Sequence, residues 1–141
     1  MRHQNARHLL SKPADQRKAL LRALATELLR HDEIITTMAK AKALRPYVER
    51  LITKGKYAHI ADYSGLAEKA KNGDAEAAKK VANSVHLRRQ IRASIYDRDV
   101  VKRVVDEVAP RYTDRPGGYC RIIRYRNRTG DNTPLAIIQL V

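Results

Sequence analysis

The run Leu135-Ala136-Ile137-Ile138-Gln139-Leu140-Val141 places apolar side chains at consecutive positions. Neighbouring side chains of an extended chain point to opposite faces, so both faces of this segment call for cover. The run is therefore expected to be a strand between neighbours or beneath helices, and not a solvent-facing edge. Ahead of it lie two turn signals, Asp114-Arg115-Pro116-Gly117-Gly118 and Thr129-Gly130-Asp131-Asn132, with Tyr119 to Arg126 between them. Two strands joined as a hairpin follow.

Helical periods occupy most of the remainder. Pro13 suits a first helical turn, and Leu20, Leu21, Leu24 and Leu28 form a stripe through Arg30. The β-branched run Glu33-Ile34-Ile35-Thr36-Thr37 fits a strand. A helix is expected from Ala39 through Leu44, Val48, Leu51 and Ile52 to Lys54, bent between Lys42 and Pro46 and stopped by Gly55. Residues 57–85 read as an inserted helical hairpin capped by Ser64 and Asp74, with Tyr57 and Tyr63 available to dock it. His86 to Ser94 looks helical. Asp97 then caps a helix that turns Val100, Val101, Val104, Val105 and Val108 inward and ends at Pro110. The class is α+β in the order α-β-α-α-α-β-β, a single domain over residues 1–141 with a basic arm at 1–12.

Charge narrows the partner. The chain carries 29 lysines and arginines against 15 acids, a formal net charge of +14, which points to a polyanion. Residues 1–56 hold 13 basic and 5 acidic side chains, residues 57–85 hold 4 of each, and residues 86–141 hold 12 and 6. The two ends, and not the neutral insertion, should meet the polyanion. No apolar run reaches the roughly 20 residues that span a bilayer, and the first residues lack the apolar segment of a secretory signal, so a soluble, non-exported protein without a membrane partner is expected.

No constellation for chemistry emerges. The five histidines, at 3, 8, 31, 59 and 86, form no metal-ligand spacing with a cysteine or carboxylate, and the single Cys120 reads as packing or surface. Gly117-Gly118 precedes a strand where a phosphate loop would precede a helix. Asp97 with Asp99, and Asp106 with Glu107, are explained as caps and solvated charges, and no serine sits in an elbow-like turn. Neither catalytic residues, cofactor, metal nor small-molecule substrate is expected.

The basic groups suit folded RNA, whose phosphates and 2′-hydroxyls are met by scattered arginines, small polar groups and close backbone approach. The candidates are Arg2, His3, Arg7 and Lys12 of the arm; Arg17 and Arg22 on the first helix; Thr36 and Thr37 beside Lys40, Lys42 and Arg45; and Arg121, Arg124, Arg126 and Arg128 of the hairpin. Arg115, Gly117, Gly118 and Tyr119 would let backbone amides approach a phosphate while the tyrosine stacks on a base, although a plain tight turn is equally compatible. The seven tyrosines lack the paired arrangement of an RNA-recognition sheet, which leaves shape and phosphate recognition as the inference.

Met1-Arg2-His3, Arg30-His31 with Ile34 to Thr37, Ala39 to Arg45, Arg115 to Ile123, and Gly130-Asp131-Asn132 ahead of the last strand occur in one order across nearly the whole chain. Together they resemble the bacterial large-subunit ribosomal protein seventeen family. The segment Pro13 to Leu24 resembles its cyanobacterial and plastid branch. The resemblance implies helices on a small mixed three-stranded sheet, and a non-catalytic protein bound to large-subunit rRNA near the nascent-peptide exit beside neighbouring ribosomal proteins. It places the chain on the ribosome of a bacterial cytoplasm or chloroplast stroma. It also implies that Arg2, His3, Thr36, Thr37, Lys40, Lys42, Arg45, Arg115, Gly117, Gly118, Tyr119 and Arg121 form or support the rRNA-facing surface. The chain departs from the family at Ser11-Lys12, and in the length of 57–85. A free helix-turn-helix regulator would need a base-reading helix, which none of the valine-striped or alanine-rich helices offers. An RNA-acting enzyme would need a carboxylate or histidine whose loss abolishes turnover.

Overall fold

The computed structural model describes residues 8–141, so Arg2, His3 and Arg7 lie outside the described residues. Helix α1 (Ala14–His31) starts after Pro13, with Asp15 in its first turn and Arg30 and His31 in its last, each opposing the helix dipole. Asp32 ends it in a left-handed conformation, φ 64°, and returns its N–H to the carbonyl of Leu28. That reversal feeds β1 (Glu33–Thr37) directly. Helix α2 (Met38–Ala58) follows without a break and runs through Pro46.

The expected stop at Gly55 is not realised, for a reason no local signal carries. A Cβ there would lie 3.2 Å from Val104 Cγ1 and 3.3 Å from both Ala109 Cβ and the Val104 carbonyl. Glycine serves close packing inside the helix and not its termination.

Helix α3 (Tyr63–Lys71) is capped by Asp62, whose Oδ1 accepts from the Gly65 N–H at 2.9 Å, so the cap falls two residues before the expected Ser64. Asp74 caps α4 (Ala75–Arg92) as expected, accepting from Glu76 and Ala77. That helix fuses the second half of the expected hairpin with the expected helix at His86. Helix α5 (Arg98–Arg103), capped by Asp97, continues into a π turn (Val104–Val108) and a 3-10 turn (Ala109–Tyr112). Against the expected order α-β-α-α-α-β-β, the observed order holds one α-helix more, five among the described residues.

Strands β2 (Cys120–Asn127) and β3 (Pro134–Leu140) form the expected hairpin. The sheet order is β1-β3-β2, which puts the twice-apolar run at the centre. Both pairings are antiparallel, which corrects the expected mixed sheet. β1 and β2 run the same way but never pair, because β3 lies between them. One row across the sheet is Ile34-Ile138-Ile122, and the next but one is Thr36-Ala136-Arg124.

By internal contacts the described chain divides into two units. One comprises the residues up to Val48 with Cys120–Val141; its fully buried side chains include Leu28, Leu29, Leu44 and Ile138. The other is Glu49–Tyr119, where all five valines of the stripe are buried, together with Ile52, Ile91, Ile95, Tyr112 and Tyr119.

Candidate nucleic-acid interface

Within the first unit, helix and hairpin build a cationic concavity. Met38, Lys42 and Arg45 recur at i, i+4 and i+7, one face of the start of α2. Ile122 and Arg124 alternate along β2 and share one face of the sheet. With His8 these side chains line a single concavity of about 470 Å³. Lys42, Arg45 and Arg124 are exposed, and no acid lines the surface among the described residues. None of the three is paired with a described acid. Three unneutralised cations at one surface favour an anion, and the two guanidinium forks favour a phosphate held by paired hydrogen bonds.

A second concavity, about 480 Å³, adjoins the first through Met38 and Arg124, which line both. Arg126 is also there, with its guanidinium carbon 5.2 Å from the centre of the Tyr125 ring. The sequence pointed to Lys42, Arg45, Arg124 and Arg126. It missed Met38 and His8 as site residues, although the spacing of Met38 to Lys42 and Arg45 carries the signal.

Other candidates are placed elsewhere. Thr36 shares the sheet face of Arg124, whereas Thr37 and Arg121 belong to the opposite face. Arg17 is half-buried and donates from Nη1 to the Lys12 carbonyl at 3.2 Å. Arg22 and Lys40 are half-buried, and Lys12 is exposed. Arg128 is engaged within its own turn. Its Nε and Nη2 reach the two oxygens of Asp131 at 2.8 and 2.6 Å, while Thr133 donates its hydroxyl to Asp131 Oδ2 at 2.8 Å. These hydrogen bonds hold the Asp131 carboxyl well below the usual carboxylate range and raise the Arg128 pKa.

The turn Arg115 to Tyr119 is part of the second unit. Gly118 has φ 67°, a conformation that side chains rarely adopt. Lys56 Nζ donates to the Arg115 carbonyl at 2.7 Å, and the Tyr119 hydroxyl donates to the same oxygen at 3.3 Å. The Tyr119 ring is 1% exposed and packs 5.0 Å from the ring of Tyr112. It therefore supports the turn from beneath and is not presented for base stacking. Arg115 is exposed, with its Nε donating to the Gly117 carbonyl at 3.2 Å.

Cys120 is buried, and no group of three His, Cys, Asp or Glu that could hold a metal ion occurs among the described residues. No helix among them is long and apolar enough to cross a membrane.

The α+β fold and its uncompensated cationic tract define a basic scaffold module, equipped to hold an anion in place. The model of the family Ribosomal protein L17 matches residues 20–141. The chain is 47% identical to a large ribosomal subunit protein bL17 from Kosmotoga olearia, covering all of this chain and 93% of that one. It is 40% identical to proteins of the same name from Thermotoga maritima and Allorhizobium ampelinum, covering all of this chain and 95% and 82% of theirs. The chain belongs to the ribosomal protein L17 family, and with it to the structural proteins of the ribosome and not to the enzymes.

Proposed function

We propose that this chain is built into the large ribosomal subunit and binds large-subunit rRNA near the nascent-peptide exit, beside neighbouring ribosomal proteins. The names of its relatives support the subunit, and the resemblance of its sequence supports the location. The observation that carries the RNA reading is the concavity where Lys42 and Arg45 of α2 meet Arg124 of β2 without an acid. Phosphates displace their counterions on contact with such a tract, which supplies affinity with little dependence on base sequence. The basic arm, residues 1–12, adds Arg2, His3, Arg7 and Lys12. Arg17, Arg22, Thr36, Thr37, Lys40, Arg121, Arg126 and Arg128 bind RNA or support its binding in the first unit; Arg115, Gly117 and Gly118 do so in the second, where Tyr119 supports their turn from below. The charge-neutral insertion at 57–85 is an accessory element of the one domain. The compartment is a bacterial cytoplasm or a chloroplast stroma.

Sedimentation of a tagged chain from its own cells through a high-salt sucrose cushion tests the assignment. Stoichiometric recovery with the large subunit is expected. Recovery only in the light soluble fraction would overturn it and favour a free nucleic-acid-binding regulator.

A further inference from the structure

We propose that the concavity beside Tyr125 receives an unpaired, unstacked base of the bound RNA, next to the tract that holds its phosphates. This deepens the rRNA-binding reading and rests on it.

The β2-β3 ladder pairs Arg124 with Ala136 and then Asn127 with Pro134. Tyr125 and Arg126 therefore face the single residue Leu135, a one-residue bulge that re-aims side chains at an edge strand. At this bulge Tyr125 keeps 48% of its surface exposed, although it is a large ring in a strand. Met38, Pro134 and Leu135 give the concavity an apolar lining, and Arg126 stands against the ring. Asn127 donates its amide to Asn132 Oδ1 at 2.8 Å, which turns its own carbonyl oxygen into the acceptor that remains for an exocyclic amine.

An exposed aromatic ring paired with a guanidinium above an apolar lining is the chemistry that stacks a base. A base within a regular helix is already stacked on both faces, so the occupant comes from a bulge, loop or strand end. Continuity with the cationic tract favours a nucleotide over an aromatic peptide side chain. Met38 and Arg124 line both concavities, so a strand whose phosphates meet Lys42, Arg45 and Arg124 carries its next base to Tyr125.

The probe is an RNA hairpin with one bulged 2-aminopurine, compared with the same hairpin fully paired, each titrated with the full chain at fixed salt. The bulged hairpin is expected to bind about ten-fold more tightly, with the 2-aminopurine emission quenched on stacking. Tyr125→Leu is expected to abolish the preference and the quenching while leaving affinity for the paired hairpin unchanged, and Tyr125→Phe is expected to retain both. Preference and quenching that survive Tyr125→Leu, or a wild-type protein that binds both hairpins equally, would overturn the inference and leave the phosphate reading standing. Failure of the wild-type chain to bind either hairpin, even at low salt, would overturn the rRNA-binding reading as well.

Discussion

The imidazole of His59 donates its Nδ1 proton to the carbonyl of Val105 at 3.1 Å. That carbonyl has lost both of its helical donors. The Ala109 N–H turns to the carbonyl of Val104, five residues back, and the next residue is Pro110, which has no N–H. Val105 is fully buried, so water does not replace them. The side chain of His59 thereby completes a π turn that Pro110 leaves open.

His59→Ala is expected to destabilise the chain by about 1–3 kcal/mol, the cost of a buried acceptor left without a donor. Urea unfolding at pH 7 measures it. A midpoint within error of wild type would show that Val105 finds another donor.

Gly55→Ala sets two effects against each other. Alanine gains about 1 kcal/mol of helix propensity over glycine, while overpacking costs about 1–3 kcal/mol. The new Cβ would press on Val104 Cγ1, the Val104 carbonyl and Ala109 Cβ, none of them the free end of a flexible side chain. Packing is expected to win, lowering the unfolding midpoint; a raised midpoint would show that the wall yields.

The ion pair of Arg128 with Asp131 makes stability depend on pH. A carboxylate whose pKa is depressed in the folded state contributes stability that is present above its unfolded value, about 4. That contribution fades as pH falls through the lower folded value. Asp131→Asn is expected to lower the unfolding midpoint at pH 7 and to flatten its fall between pH 5 and pH 2. Salt should weaken the difference, because the pair is exposed.

Arg45→Ala, Lys42→Ala and Arg124→Ala are each expected to weaken RNA binding and to reduce the slope of log affinity against log salt by about 0.7–0.9, while changing stability by no more than about 0.5 kcal/mol. Leu28→Ala, at a site with no exposed surface, is expected to cost about 2–5 kcal/mol of stability. Filter binding across a salt series, paired with thermal unfolding, separates the two classes. A charge variant that unfolds like Leu28→Ala would remove Lys42, Arg45 and Arg124 from the phosphate-binding role.

Where local pattern and burial agree, the sequence was legible. Apolar residues on both faces of 135–141 demanded a strand between neighbours or beneath helices, and it is the central one; the valines at 100, 101, 104, 105 and 108 demanded a buried helical face. Asp74 and Asp97 capped where short polar side chains precede helices. Errors arose where a distant residue decides. Gly55 is read as a stop unless Val104 is known to lie against it. Pairing of β1 with β3 is set by register between segments far apart in the chain, and no local signal distinguishes it from a mixed sheet. In the candidate interface, the basic residues were visible as a composition, but composition does not distinguish Arg124, open to a partner, from Arg128, clasped by Asp131. Tyr119 was legible as an aromatic beside a turn, and its burial against Tyr112 was not.

The position of β3 between β1 and β2 also bears on how the chain is made. Glu33 pairs with Gln139 and Cys120 with Leu140, so among the described residues each outer strand pairs only with a segment translated after it. Both leave the synthesising ribosome with open backbone edges, and β1 waits through most of the chain for closure. Without Pro134–Leu140 neither pairing forms, and β1 and β2 are both left with open backbone edges, the condition under which strands pair with other chains.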